Sequence, residues 1–301
     1  GKEIAFMGKT YTVEEATFDS FKGIDIALFA GGSISKDFAP HAVKAGAVVI
    51  DNSSAFRMDP EVPLVVPEVN PQAILKHKGI IANPNCSTII MVMALKPIYD
   101  LAKIKRVIVS TYQAVSGAGK EGIDELDAQV REHSEGREMT ANILPSASAE
   151  KHYPIAFNLI PQIDVFCDNL YTKEEMKMVN ETKKIMEDYE MRITATTIRV
   201  PVYRSHSESV NIELEKEVDL GAMREALAKF PGVTVQDDPS KQEYPMPLYT
   251  SEKDDVYVGR LRRDESCEKS YNMWVVGDQI RKGAALNTLQ IAETMIKNGW
   301  I

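Results

Sequence analysis

The chain has 301 residues, 44% of them hydrophobic and 26% charged, a composition suited to one or two globular domains and not to a disordered chain. Its net charge is −9, and no long Lys/Arg block occurs, which argues against a nucleic-acid partner. No apolar run approaches the ~20 residues of a membrane span, and Gly1-Lys2-Glu3-Ile4 lacks the plan of a signal peptide. The three cysteines, Cys86, Cys167 and Cys267, are far apart and form no metal-binding spacing, so no metal and a reducing cytoplasm are expected.

Residues 25–30 form an apolar run that predicts a buried strand, with Gly31-Gly32-Ser33 turning out of it. A helix over 35–45 closed by Gly46 and a second strand over 47–51 complete one βαβ unit, which implies a parallel, doubly wound sheet. The glycines at the end of the first strand would let a cofactor approach the backbone, or simply make a tight turn. Residues 52–69 are rich in loop signals and carry one cation, Arg57.

A short strand over 79–82 leads into Asn83-Pro84-Asn85-Cys86-Ser87-Thr88 and then a helix apolar on nearly every face to Leu101. Cys86 is thus expected where a strand ends and a helix begins. Free backbone N–H groups and the helix dipole at such a point lower a thiol's pKa, which suits a nucleophile. A buried structural cysteine is the alternative.

Residues 106–115 predict a long β-branched strand ending at Ser116-Gly117-Ala118-Gly119-Lys120. The likeness to a nucleotide P-loop is false, since residue 114 is Ala and Glu121 stands where a magnesium-binding Ser or Thr is needed. The turn could still hold an anion or amide at the N-terminus of a helix over 121–132. Residues 143–168 are irregular, ending in a strand-like 164–166. A charged amphipathic helix follows over 172–189, with Thr172 and Glu175 spaced as a capping box and most charges expected on a solvated face. A strand over 194–202, an interruption at Ser205-His206-Ser207 and a strand over 208–218 come next. A helix over 220–230, strands over 255–263 and 271–276 and a closing helix over 284–299 complete the chain.

His206 in its polar interruption could serve as acid/base to a Cys86 thiolate, although a structural histidine is the plainer reading. Arg199, seven residues earlier, offers a planar guanidinium for a carboxylate.

Four stretches together resemble aspartate-β-semialdehyde dehydrogenases, the Gram-positive-like branch best: Asn83 to Thr88; Ser110 to Gly119; Arg199-Val200-Pro201-Val202 with His206-Ser207; and Gly277-Asp278-Gln279 with Gly283-Ala284-Ala285. The resemblance covers essentially the whole chain. It implies an α/β fold with a Rossmann-like NADP-binding domain (1–85 and 282–301) and an α+β catalytic and dimerisation domain (86–281). It implies Cys86 as the acyl-thioester nucleophile, Gln113 as the residue orienting the acyl group and His206 as general acid/base. Arg199 would hold the substrate's α-carboxylate and Glu181 its α-amino group, while Arg57, Lys184 and Asn85 would form a phosphate site. Ser116, Gly117 and Gln279 would contact NADP. The substrates implied are aspartyl phosphate, aspartate semialdehyde and phosphate, and the assembly a homodimer or homotetramer. The family's opening strand and glycine-rich cofactor turn have no counterpart here, so the cofactor domain is expected to be incomplete and NADP-dependent turnover impaired. N-acetyl-glutamyl-phosphate reductase, whose substrate carries no free ammonium, and a non-catalytic binding or oligomerisation module are the alternatives.

Overall fold

A computed structural model gives the architecture and describes residues 1–147 and 149–301. An exposed hairpin of β1 (Glu3–Phe6) and β2 (Lys9–Thr12) precedes β3 (Ile26–Phe29), α1 (Ser35–Lys44), β4 (Val48–Asp51) and β5 (Ile80–Ala82). Strands β3, β4 and β5 make a parallel three-stranded sheet in that order, as the small and β-branched residues of the βαβ unit predict. β3 and β5 are its edge strands.

The chain then enters α2 (Cys86–Leu101), β6 (Ile104–Gln113), α3 (Lys120–Ser134), α4 (Lys173–Met186), β7 (Arg192–Arg199) and β8 (His206–Leu214). After these come α5 (Leu220–Lys229), β9 (Val233–Val235), α6 (Pro247–Thr250), β10 (Val256–Arg263), β11 (Ser270–Gly277) and α7 (Leu286–Lys297). The second sheet is mixed and six-stranded, in the order β7-β6-β8-β11-β10-β9. Alternation along its strands puts Val107, Val109, Val210, Ile212, Met273 and Val275 on one face, in a single core with α2 and the apolar residues of α4 and α5. The opposite face carries half-buried Ile108, Tyr112 and Trp274.

α2 lies under this sheet and begins where β5 of the small sheet ends. Eleven of its sixteen residues are buried, from Ser87 to Ile98, so its all-round apolar pattern marks a helix covered on every side. α7 packs back on the small sheet through Ile291 and Met295 against Ile50 and Ile81.

Several boundaries differ from the sequence reading for local reasons. The break before β8 falls at Ser205, whose φ of 68° lies outside the β region, so His206 is the first residue of β8 and not part of an interruption. Residues 164–166 form no strand, and only an isolated bridge joins Phe166 to Thr172. The last helix opens with a π-turn over 281–285. The capping box of α4 forms as spaced: Thr172 Oγ1 accepts from Glu175 N and Glu175 Oε2 from Thr172 N. The charges of that helix are not mostly solvated, because Glu174, Glu175 and Glu181 are all buried. Among the described residues, no helix is long and apolar enough to cross a membrane.

Candidate active site

Cys86 is the first residue of α2. Its preceding residue, Asn85, caps the helix through Oδ1, which accepts from Thr88 N at 3.2 Å. The expectation of a lowered thiol pKa is overturned. Burial and the negative charge of Glu174 push Cys86 up to about 12 and outweigh the cations Arg57 and Arg199 and a backbone hydrogen bond. A helix N-terminus contributes only about 1 kcal/mol, less than it costs to desolvate a thiolate beside a carboxylate. Close packing adds to that enclosure, since a Cβ on Gly283 would lie 3.1 Å from the Cys86 Cβ.

Gln113 ends β6 and His206 begins β8, so the two neighbouring strands bring both side chains to the covered face of the sheet. Their Nε2 atoms are 3.5 Å apart. His206 Nδ1 accepts from the Ala114 N–H at 3.0 Å, and a backbone N–H can only donate. The neutral ring therefore carries its proton on Nε2. Burial first, and then the Arg199 charge, lower the His206 pKa to about 3, against the opposing pull of Glu174. His206 is a neutral donor here.

Arg199 ends β7 beside Gln113 and is buried, with no carboxylate paired to it among the described residues. Nη1 donates to the Ala114 carbonyl at 2.7 Å, while Nε has no partner. A buried guanidinium so arranged is a receptor for an anion. Gly117 makes room for it: a Cβ there would lie 2.7 Å from Arg199 Nη1 and 3.3 Å from His206 Cε1.

Glu181 lies on α4. Its Oε2 accepts from Asn85 N at 2.6 Å, and its Oε1 faces Arg57 Nη1 at 3.3 Å. Burial raises its pKa, partly offset by Arg57. Arg57 is fixed through Nε to the Asn83 carbonyl at 2.9 Å and through Nη2 to the Asn52 carbonyl at 3.0 Å. Lys184 donates to the carbonyls of Arg57, Asp59 and Val62, at 2.7 to 2.8 Å. It thus braces the loop that presents Arg57.

Gln279 joins the remaining turns. Its Oε1 accepts from Ser205 N at 2.9 Å and its Nε2 donates to Ser116 Oγ. Hydrogen bonds link Arg57, Glu181, Asn85 and, through Glu174, Gln113 beside His206, and the Cys86 thiol lies within the electrostatic reach of Glu174, Arg57 and Arg199, with Lys184, Ser116, Gly117 and Gln279 at the edges of the group.

Sequence reasoning missed Glu174. Its Oε1 accepts from both Asn85 Nδ2 at 2.9 Å and Gln113 Nε2 at 3.2 Å. The signal available was Lys177 three residues on, but surface helices show the same spacing. Glu208 was also missed. It is buried with both carboxylate oxygens unpartnered, two residues after His206. Among the described residues, no cluster of His, Cys, Asp and Glu could hold a metal.

A nucleophile on a helix N-terminus, two converging N–H donors and an unpaired guanidinium suit covalent acyl transfer on a small anionic substrate. Comparison with known proteins gives that chemistry a lineage. The NAD-binding domain of semialdehyde dehydrogenases matches residues 1–77 and their dimerisation domain residues 95–282. The aspartate-semialdehyde dehydrogenase of Aquifex aeolicus is 57% identical over 305 residues, covering 100% of this chain and 88% of its own. That of Bacillus subtilis is 53% identical, covering 99% of this chain and 86% of its own. The crystal structure of aspartate semialdehyde dehydrogenase II from Vibrio cholerae complexed with ASA superposes with a TM-score of 0.91 at 46% identity, covering 99% of this chain and 87% of that one. These matches favour the semialdehyde dehydrogenase reading over the N-acetyl-glutamyl-phosphate reductase and non-catalytic alternatives. With a Rossmann-type NAD-binding part, a dimerisation part and this degree of identity along its length, the chain belongs to the aspartate-semialdehyde dehydrogenase family.

Proposed function

We propose that the protein catalyses the reductive dephosphorylation of L-aspartyl-4-phosphate to L-aspartate 4-semialdehyde through a thioester on Cys86, a step of lysine, threonine and methionine biosynthesis. The observation that carries this reading is the gathering of Cys86, Gln113, His206 and the unpaired Arg199 at the covered edge of one sheet.

The Cys86 proton passes to the departing phosphate as the sulfur attacks the acyl carbon; the S–C bond forms as the C–O bond to phosphate breaks. Arg57, Lys184 and Asn85 attend the departing phosphate, Arg57 directly and Lys184 by bracing its loop. Arg199 receives the α-carboxylate. Glu181 receives the α-ammonium, whose positive charge would draw down a carboxyl that burial raises. Gln113 Nε2 and His206 Nε2 face the acyl oxygen, where negative charge develops. His206 gives from Nε2 the proton that this oxygen takes up, and takes it back as the carbonyl re-forms and Cys86 leaves as thiolate.

The residues present fit part of a nicotinamide dinucleotide. The Gly31-Gly32-Ser33 turn opens at the carboxyl end of β3, with Gly32 at φ +64°, and the Ser35 hydroxyl at the start of α1 is buried without a partner. Such a turn, with a free hydroxyl at a helix start, suits a cofactor phosphate or ribose. Ser116, Gly117 and Gln279 would hold the end nearer Cys86. When bound, the cofactor supplies the hydride to the acyl carbon. The choice of NADP over NAD rests on the family resemblance.

The domain division at 85/86 and 281/282, a homodimer and a cytoplasmic setting belong to the same proposal. The six-stranded sheet leaves Ile108, Tyr112 and Trp274 half-buried on its second face, which suits a second copy. Three free cysteines suit a reducing compartment.

The test is phosphate-dependent oxidation of aspartate semialdehyde by the purified chain, followed as NADPH formation, with NAD as comparison and Cys86→Ala as control. Turnover that survives in Cys86→Ala would end the thioester reading. Sedimentation showing a monomer at assay concentration would end the dimer reading, and a tetramer would extend it.

A further inference from the structure

Arg57, the cation assigned to the departing phosphate, is held by two main-chain carbonyls. Its Nε donates to that of Asn83 and its Nη2 to that of Asn52, at 2.9 and 3.0 Å. The spacing of these carbonyls aims the guanidinium. The two residues that carry them are also bonded to each other, Asn83 Nδ2 donating to Asn52 Oδ1 at 2.7 Å. Asn83 is fully buried, so no water competes for its amide.

What holds Asn83 lies on the closing helix. Asn287, also fully buried, stands in the first turn of α7 and donates from Nδ2 to Asn83 Oδ1 at 2.7 Å and to the Val65 carbonyl at 3.0 Å. Asn287 Oδ1 accepts at 2.9 Å from Nζ of Lys282 in the π-turn. Lys282 is itself buried, and its ammonium also donates to Gln290 Oε1 at 2.6 Å and to Glu68 Oε2 at 2.5 Å. Burial pulls the Lys282 pKa down, and the Glu68 carboxylate opposes this. No role assigned so far uses Lys282 or Asn287, although a buried ammonium is costly to place.

This chain of bonds has one sense. An ammonium only donates and a main-chain carbonyl only accepts. Lys282 on one side and Val65 on the other therefore turn the Asn287 oxygen to the ammonium and its nitrogen to Asn83. Asn83 then gives its oxygen to Asn287 and its nitrogen to Asn52. The two ends of an amide have nearly the same shape, so these partners decide which end points where.

We infer that Lys282 and Asn287 are positioning residues for the phosphate site: they hold the Asn83 amide in the one sense that bonds Asn52, and with it the two carbonyls that aim Arg57. This rests on the phosphate role given above to Arg57. An acceptor in place of the Asn287 donor leaves Asn83 no good sense. Unturned, its oxygen faces another oxygen. Turned, it faces Asn52 Oδ1 and the carbonyls of Pro84 and Ala284, which lie 3.4 and 3.5 Å from the present nitrogen.

The experiment uses the whole chain with Asn287→Asp, Lys282→Met and, as control, Arg57→Lys. Oxidation of aspartate semialdehyde is measured with phosphate and semialdehyde varied in turn. Asn287→Asp keeps an acceptor for Lys282 and removes the donor to Asn83. In it KM for phosphate rises roughly 10-fold or more, while KM for semialdehyde stays within about threefold. Lys282→Met gives the same split, and Arg57→Lys raises the phosphate KM at least as far. A merely structural role would move both constants or neither. A second readout needs no turnover. In chain carrying isotope-labelled arginine, the Nε–H resonance of Arg57, assigned by its absence in Arg57→Lys, shifts and exchanges faster with water in Asn287→Asp and in Lys282→Met.

A phosphate KM within about threefold of the parent in Asn287→Asp overturns the inference, whatever Lys282→Met does, because the amides then carry nothing. Should one of the two variants fail to fold, the other decides by the same readings. An unchanged phosphate KM in Arg57→Lys instead removes Arg57 from the phosphate site, and the inference falls with that reading. If the parent chain does not turn over, the resonance decides: an Arg57 signal unmoved in both variants overturns the inference.

Discussion

Cys86 sits at the start of a helix and yet is held protonated, a combination that sequence reading got half right. The strand-break-helix pattern around Asn83-Pro84-Asn85-Cys86 was enough to place the thiol, because Pro and Asn interrupt and the apolar run resumes. Its ionisation was not legible, because it depends on Glu174, 88 positions away, and on the enclosure of the site. With the thiol raised to about 12, alkylation of the free enzyme by iodoacetamide should be slow near neutral pH and climb steadily on the alkaline side. A plateau already reached near neutral pH would show an ionised thiol and contradict this account. Arg199 allows a second prediction at this scale. Its unpaired Nε and planar fork cannot be supplied by an ammonium, so Arg199→Lys should raise KM for aspartate semialdehyde roughly 10- to 100-fold. An unchanged KM would remove Arg199 from the carboxylate site.

At the scale of elements, the site is made by ends: the N-terminus of α2, the last residues of β6 and β7, and the first of β8. Hydrophobic periodicity gave these elements to within a few residues, since their covered faces follow strict alternation or an unbroken apolar run. It could not show that the charges of α4 turn inward, because Glu and Lys at helical spacing look the same on either face. It found the break near Ser205 but spread it over His206 and Ser207, since the left-handed residue is no glycine to mark the point. The junction of the π-turn with α2 offers a direct test. Gly283→Ala would place a methyl carbon 3.1 Å from the Cys86 Cβ, so the helix start must shift by a few tenths of an ångström. The expected result is a drop in kcat of about 10-fold or more with a stability change on the order of 1 kcal/mol, read by kinetics and thermal melting. Equal kcat in that variant would mean the nucleophile tolerates displacement, against the close alignment proposed.

For the molecule as a whole, Glu208 is a standing cost of the fold. Its carboxyl is buried without a partner, and burial raises its pKa well above the usual carboxylate range. The unfolded chain holds an ordinary carboxyl, so native Glu208 is the tighter proton binder. Stability from this group is present at acid pH and is lost as pH rises from the unfolded value through the folded one. Glu208→Gln should therefore melt higher than the parent at about pH 8, by more than it does at about pH 5. The opposite ordering would show that the carboxyl is ionised and paired in the native protein.

The burial of α2 also divides the molecule by time. Its amides from Ile90 onward lie inside hydrogen-bonded helix and under both neighbouring layers, with side chains from Ile89 to Leu95 wholly enclosed. Such amides exchange with deuterated water only through the largest opening the domain undergoes. The turn of Ser116 to Gly119 and the approach to β8 through Tyr203, Arg204 and Ser205 lie outside such regular elements, being short, irregular and joined by the Ser116 N–H to the Tyr203 carbonyl and by Gln279 to both. Substrate entry and product escape then have to be movements of these turns past a stationary sulfur. In a deuterium-exchange time course, α2 should label last and the two turns among the first.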